Sequence, residues 1–397
     1  MINNKIKKII LYIVTKSELG GSQKYIIDLA VGLSEKYRVG VVSGCNSPEN
    51  KFREILTNNK ISYFCIDSLT RSISPINDIK TIIKLVKIIR KIDPDIVHLN
   101  SSKTSILGSI ACSITKTKVV YTAHGWIFNE PIPKWQIALY KLAQKRTVKT
   151  KNAIICTNKP DLIAARKVLN IPQNKLNLIY SGIDTKADNF LEKTAALEAL
   201  KNLLGDRLAI NKSTILIGSI GNLYPAKGFG DFIQAFEIVK IALQIQIKNT
   251  INIKAIIIGE GEEREKLEDM IRQKNLQDDI ILAGSMQNAS VLLKAFDIYA
   301  CSSVKEGLPY SILEAGLAGL AVTSTNVGGA SDIIQGDVNG LLVEAGKPDE
   351  LARSIKELID DPKKRIKFGE ALKINIQENF KIENMLTETN EVYEALL

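Results

Sequence analysis

The feature that most constrains this chain is an alternation. Short runs of β-branched and aliphatic residues recur along the whole sequence, separated by longer segments with helical periodicity. In the first half the runs are Ile9–Val14, Val39–Ser43, Ser62–Ile66, Ile96–Leu99, Lys118–Thr122 and Ala153–Thr157, with amphipathic segments such as Gln23–Tyr37 and Asp78–Ile92 between them. Strands that alternate with helices predict parallel sheets covered on both faces. The alternation pauses near Asn177–Asp184, where charge and composition shift, and helical, glycine-poor sequence runs on to about Asp206. It restarts with Thr214–Ile220, Ile253–Gly259, Ile280–Ala283, Ile298–Cys301, Ala321–Ser324 and Gly340–Val343. At 397 residues the chain is about right for two cores. The expected architecture is α/β, with two doubly wound domains over residues 1–182 and 183–383. A terminal helix over 384–397 would be able to pack back on the first domain. Two such sheets in series are expected to face a deep cleft at the carboxyl ends of their strands, where open α/β sheets bind ligands.

Composition narrows the class. Hydrophobic residues make up 45% and charged residues 24%, as in an ordinary globular protein. No apolar run approaches the ~18 residues of a spanning helix. Ile9–Val14 follows several lysines and mimics a secretion signal, but Thr15-Lys16-Ser17-Glu18 is no small-residue cleavage site. It is expected to be the first buried strand of a cytoplasmic protein. Five scattered cysteines without a Cys-x-x-Cys argue against a disulfide framework or a zinc site, and predict buried, reduced thiols. Two histidines are too few for a multi-histidine metal centre. Through Thr185 the chain carries 29 Lys+Arg against 12 Asp+Glu, and the remainder 24 against 31. A basic first half beside a mildly acidic second half predicts an anionic partner for the first.

Several stretches could carry chemistry. Glu306-Gly-Leu-Pro-Tyr-Ser-Ile-Leu-Glu314 follows a strand and enters a helix, with Pro309 suited to its first turn. Carboxylates take hydroxyls, and the free N–H groups of Gly307, Leu308, Pro309's successor Tyr310 and the helix start take oxygens, so the stretch suits a polyhydroxylated anion. Gly20-Gly21 lies between the first strand and a helix, where backbone can approach a ligand. His98 ends a strand, so it is expected at a sheet edge that faces the cleft; His124 lies just past a strand end and precedes Gly125, the better position for touching a phosphate or hydroxyl. Gly218-Ser-Ile-Gly-Asn-Leu-Tyr-Pro-Ala-Lys-Gly228 sets Lys227 at the entry to a helix over Gly230–Ile241, a seat for a diphosphate. Gly259-Glu-Gly261 lacks the third glycine of a dinucleotide fingerprint. Asp93-Pro-Asp95 precedes its strand and reads as a turn. Neither a Walker loop nor a nucleophile elbow occurs. The helices Asp78–Ile92 and Trp135–Lys151 combine isoleucine, leucine and tryptophan with rows of lysine. That pattern fits sheet-covering helices, or docking on an anionic membrane surface. The basic half lacks interleaved exposed aromatics, so no nucleic-acid partner is expected.

Taken in order, Gly20-Gly21, His124, Gly221 with Lys227-Gly228, Gly259/Gly261 and the Glu306-x7-Glu314 pair resemble the retaining glycosyltransferase family 4, of GT-B architecture. The resemblance spans almost the whole chain. It implies two Rossmann-like domains, an acceptor-binding first and a nucleotide-sugar-binding second. It further implies transfer from a nucleotide sugar, a UDP-sugar, to a glycan or lipid-linked acceptor in bacterial surface polysaccharide or glycoconjugate synthesis, at the inner face of the cell membrane. Under it His124, Lys227 and Glu306 are catalytic. Lys227 takes the diphosphate in place of a metal, so no metal or cofactor is expected. Gly20, Gly21, Gly221, Asn222, Gly307, Leu308, Pro309, Tyr310 and Glu314 bind the donor, with Glu314 on the ribose. Asn222 departs from the family pattern, which commonly has an Arg there, and Arg264 is the candidate to compensate. A GT-B-shaped nucleotide-sugar epimerase and a non-catalytic sugar-nucleotide or membrane-binding module are the alternatives.

Overall fold

The computed structural model describes residues 7–45, 51–129, 132–187, 189–211, 213–245 and 251–397. The chain divides into two compact units, Met1–Gly182 with Ile382–Leu397, and Ile183–Lys381.

Unit 1 is built on a parallel sheet of β1 (Ile9–Ile13), β2 (Arg38–Gly44), β3 (Ser62–Ile66), β4 (Ile96–Leu99), β5 (Lys118–Ala123), β6 (Ala153–Cys156) and β7 (Leu176–Leu178), in the order β3-β2-β1-β4-β5-β6-β7. Its helices are α1 (Gly21–Gly32), α2 (Lys51–Asn58), α3 (Pro75–Ile92), α4 (Ser102–Thr115), α5 (Lys134–Thr147) and α6 (Lys159–Lys167). The interior runs β1, β2, β4, β5 and β6 form strands buried on both faces, while β3 lies half-exposed at the edge; Leu11, Ile13, Val97, Leu99, Val119, Tyr121 and Ile154 all enter one core. Strand order reverses between β1 and β4, whose register sets Ile10 beside Ile96 and Tyr12 beside His98. Crevices at such reversals are where doubly wound sheets take ligands. The Asp93-Pro-Asp95 turn is structural: Asp95 accepts from the Ile9 N–H at 2.8 Å and pairs with Lys8 at 2.8 Å.

The helix α14 (Ile382–Glu394) belongs to this unit. Tyr37 donates to Asn390 at 2.8 Å, Lys36 pairs with Glu394, and Leu386 fills the space over Gly32. Buried Tyr393 reaches under the sheet's helix layer to His98.

The cysteine expectation is corrected here. Cys45 and Cys65 are joined by a disulfide, with Cα atoms 5.4 Å apart. Parallel pairing of β2 with β3 sets Ser43 opposite Cys65, and so brings together two thiols far apart in sequence. Cys112, Cys156 and Cys301 are buried free thiols.

Unit 2 repeats the plan with β8 (Thr214–Ile220), β9 (Asn252–Ile258), β10 (Ile280–Gly284), β11 (Ile298–Cys301), β12 (Ala321–Thr325) and β13 (Leu341–Val343), in the order β10-β9-β8-β11-β12-β13. Around it lie α7 (Lys193–Leu204), α8 (Phe229–Ile245), α9 (Arg264–Gln273), α10 (Tyr310–Leu317), α11 (Ala330–Ile333), α12 (Pro348–Asp360) and α13 (Pro362–Asn379). The core joins Phe229, Phe232 and Phe236 of α8 to Ile217, Ile257 and Ile298 of the sheet and to Leu351, Ile355 and Leu358 of α12. Here the order reverses between β8 and β11, so the loops after these two strands flank the reversal. They are the loops that carry Lys227 and Glu306.

Candidate active site

The loop after β8 runs through Gly221 and Asn222, makes a short 3-10 turn over Pro225–Lys227, and enters α8. It is laced to the loop after β11. The Ala226 carbonyl accepts from the Val304 N–H at 2.9 Å, and the Lys227 carbonyl from the Ser302 hydroxyl at 2.9 Å. Gly228 makes this approach possible: its φ is +62°, and a Cβ there would stand 2.2 Å from the Ser302 carbonyl oxygen.

Between the two loops the Lys227 Nζ donates to Glu306 Oε1 at 2.6 Å, and the Ser303 hydroxyl donates to the same oxygen at 2.6 Å. The side chains are 26% and 12% exposed, so the pair is mostly withdrawn from water yet open on one side. Burial pulls the Lys227 pKa down, but the Glu306 carboxylate, by its charge and its hydrogen bond, outweighs it, and the pKa ends above its ordinary value. Lys227 therefore stays an ammonium at neutral pH. A fixed ammonium beside a helix entry is a ready counter-charge for an anionic ligand.

From Glu306 the chain passes Gly307 and reaches α10, whose cap position is Pro309 and lacks a side-chain hydrogen bond. Leu308, Pro309 and Tyr310 are buried, so what this turn can present to a ligand is backbone N–H rather than side chains. Glu314 follows on the next turn, half-buried. Sequence reading missed the segment behind this turn. After β12 the Gly329 N–H donates to the Gly307 carbonyl at 2.7 Å, and Gly328, at φ +53°, comes so close that a Cβ would lie 2.3 Å from the Glu306 carbonyl. A Gly-Gly pair just past a strand end is the same signal that drew attention to Gly20-Gly21. Ser303 was missed as well, though it orients Glu306 and is itself held through its carbonyl by the Thr325 hydroxyl at 2.5 Å.

The Gly259-Glu-Gly261 turn serves the Gly221–Leu223 loop by backbone pairing: Gly221 N–H to Ile258 O at 3.0 Å, Leu223 N–H to Glu260 O at 2.8 Å, and Glu263 N–H to Leu223 O at 3.0 Å. Arg264, the candidate to compensate for Asn222, is engaged by the turn before its helix and by the helix itself. It ion-pairs with Glu260 at 2.6 Å and Glu268 at 2.5 Å.

In unit 1 the loop after β1 ends at Gly20, the extended cap residue of α1, again without a capping side chain. Thr15 and Ser101 bridge the strand reversal through their hydroxyls at 2.6 Å. His124 is half-buried just past β5, with Nε2 3.3 Å from Asn100 Oδ1. Asn100 in turn donates from Nδ2 to the His98 carbonyl at 3.0 Å, which turns its oxygen toward His124, where a protonated Nε2 can donate to it. The Tyr25 ring meets the imidazole edge-on, centroids 4.8 Å apart. The expectation that His98 faces a ligand is corrected: it is fully buried, held by Tyr393 at 2.5 Å and Thr122 at 2.7 Å. Its strand is an interior one, and its side chain points into the layer beneath α14.

Two doubly wound units in series, each with a helix-entry loop at its strand reversal, are the plan of the GT-B architecture. The fold agrees with the HepE protein of Anabaena (Alr3699) solved with UDP and glucose: TM-score 0.80, 20% identity, covering 98% of this chain and 100% of that one. It also agrees with a sucrose-phosphate synthase from Thermosynechococcus elongatus, at TM-score 0.79, 17% identity and 98% and 99% coverage. Residues 19–187 match the family model "Glycosyltransferase Family 4", and residues 201–374 match "Glycosyl transferases group 1". The chain belongs to the family 4 type of glycosyltransferase. Among its relatives is the Escherichia coli UDP-Gal:alpha-D-GlcNAc-diphosphoundecaprenol alpha-1,3-galactosyltransferase, 29% identical over 307 residues, 76% of each chain. Another is the capsular polysaccharide biosynthesis glycosyltransferase CapM of Staphylococcus aureus, 23% identical over 342 residues, 83% of this chain and 84% of that one.

Proposed function

We propose that this enzyme moves a sugar from a UDP-sugar to a glycan or lipid-linked acceptor, with retained anomeric configuration, in surface polysaccharide or glycoconjugate synthesis. The observation that carries the donor reading is the Lys227–Glu306 pair set between the two loops of the strand reversal. A diphosphate leaving group gathers negative charge as the sugar departs, and an ammonium fixed beside it supplies the stabilisation a metal ion gives elsewhere. No metal is then required. When the donor binds, Lys227 turns from Glu306 to the diphosphate. Glu306, relieved of its ion pair, and the N–H groups of Gly307, Leu308 and Tyr310 hold the sugar hydroxyls. Within unit 2, Glu314 takes the ribose and Gly221 and Asn222 line the phosphates; in unit 1, Gly20-Gly21 at its helix entry binds the donor. His124 is the catalytic contribution of unit 1. The UDP preference is supported by the UDP complexes of HepE and by the donor in the E. coli relative's name.

The acceptor reading draws on one layer of unit 1. Helix α4 packs against both α3 and α5. These three helices carry ten basic residues against one acid, Asp78, which is paired with Lys103 at 2.6 Å. Ile76, Ile79 and Ile83 of α3, Ile110 and Ile114 of α4, and Trp135, Leu139 and Leu142 of α5 are all exposed. Apolar side chains interspersed with lysines on one exposed layer suit the interface of an anionic bilayer, where a lipid-linked acceptor resides. No described helix is long and apolar enough to cross a membrane.

The test is calorimetric titration of the enzyme with UDP, GDP and ADP, with and without chelator, followed by product analysis with and without acceptor. Binding of UDP that survives chelator and is lost in Lys227→Ala is expected. Absence of binding by any nucleotide overturns the donor site, and a rearranged donor formed without acceptor would point to an epimerase.

A further inference from the structure

Unit 1 contains a buried polar chain that the donor site does not use. It starts on α14, where the Tyr393 hydroxyl lies 2.5 Å from His98 Nδ1 and donates to the Tyr12 hydroxyl at 3.2 Å. It crosses the imidazole to Thr122 Oγ1, 2.7 Å from His98 Nε2, and continues to the Tyr25 hydroxyl at 3.3 Å. The Tyr25 ring then lies edge-on against His124. A second branch leaves the His98 backbone, whose carbonyl holds Asn100, and Asn100 holds His124 Nε2. Tyr12, Tyr25, His98, Thr122 and Tyr393 are fully buried, whereas His124 is not.

We propose that Tyr393 is a positioning residue: through His98, Thr122 and Tyr25 it sets the orientation of the His124 ring. The inference rests on the reading of His124 as the catalytic residue of unit 1. Apolar side chains would fill this interior at lower cost than five buried hydroxyl and imidazole groups, each of which must find a partner. What the polar chain adds is direction. A buried neutral imidazole has one donor and one acceptor nitrogen, so the role Tyr393 imposes at Nδ1 decides the role of Nε2 toward Thr122. Burial, with His124 nearby, keeps His98 neutral at any working pH, its pKa pushed down to about 3. The aromatic packing around the chain is separate from its hydrogen bonds. Tyr393 meets Tyr37 and His98 with ring centroids 5.9 and 5.7 Å away, contacts that phenylalanine would keep.

The chain has two histidines, so 15N-histidine labelling yields one set of ring signals for each. In Tyr393→Phe we expect the His124 ring nitrogen signals to shift from those of the parent. kcat should fall about tenfold, the effect of one neutral hydrogen bond lost to positioning, with KM for the donor unchanged. Tyr25→Phe, which keeps its ring against His124 and loses the link to Thr122, should move the same signals less; it serves alone if Tyr393→Phe does not fold. Were only the His98 signals and the melting temperature to change, with His124 and kcat as in the parent, Tyr393 would be structural and the inference overturned. His124→Ala separates the two readings. Retained activity there removes the catalytic role of His124, while the spectra still decide whether α14 governs its ring.

Discussion

Replacing Lys227 by methionine should separate stability from donor binding. The substitution leaves Glu306, 12% exposed, without its ion-pair partner at 2.6 Å, holding only the Ser303 hydroxyl on that oxygen. Breaking a fully buried pair costs about 3–5 kcal/mol. Lys227 keeps a quarter of its exposure, and screening by that water reduces the expected cost to about 2 kcal/mol. For a unit of this size that is about 4–8 °C in Tm. Glu306→Gln alone should cost about 1 kcal/mol, because the freed ammonium can turn to water. The double variant should regain most of the stability of the parent, since neither charge is stranded. Nucleotide affinity should not follow. A charge-assisted contact to phosphate is worth about 1.5–3 kcal/mol, so both variants lacking Lys227 should bind UDP about 10–100-fold more weakly. Thermal unfolding of the four proteins and calorimetry with UDP measure the two quantities independently. A Lys227→Met protein that melts with the parent, or a double variant that binds UDP like the parent, would refute the assignment of this pair.

Other outcomes follow from the same geometry. His98 has a folded-state pKa of about 3 against an ordinary 6.5, so below pH 6.5 the unfolded chain takes up a proton the folded protein refuses. Its contribution is full above that pH and declines toward pH 3, by up to about 1.4 kcal/mol per pH unit, and denaturant melts of His98→Gln should lose this slope. Gly228→Ala should abolish UDP binding and lower Tm, because its Cβ meets the Ser302 carbonyl. Gly205→Ala, at φ +56° and ψ −141° but with nothing within 4 Å, should cost only backbone strain of about 1–3 kcal/mol and leave binding intact. Co-sedimentation with vesicles rich in phosphatidylglycerol should capture the parent and release the double variant Ile79→Glu/Ile83→Glu. Equal capture of both would show that α3 does not enter the interface.

The alternation of strand and helix was legible because it is local. Ile96–Leu99, Ser62–Ile66, Thr214–Ile220 and Ile298–Cys301 begin and end in the structure where their composition says they should, and the Tyr310–Leu317 helix does as well. Helix ends were less legible. The segment read as Gln23–Tyr37 forms a helix only over Gly21–Gly32, since the chain must turn at Leu33 to begin β2 at Arg38. Residue types likewise pointed to Lys227 and Glu306 one by one, each beside a glycine at a strand end.

Pairing is what the sequence could not express. Lys227 and Glu306 lie 79 residues apart, and only the strand reversal between β8 and β11 brings them to 2.6 Å. Gly328 contributes nothing until β12 sets it against the Glu306 carbonyl, and Cys45 meets Cys65 only through the β2–β3 register. His98 and His124 occupy similar places in the sequence pattern. One is buried beneath Tyr393, 295 residues away, while the other stays accessible. Strand and helix propensity act over a few residues and can be read from any window of the chain. Charge pairing, burial and disulfide geometry depend on which strand lies beside which, and that order is decided by the packing of the whole unit.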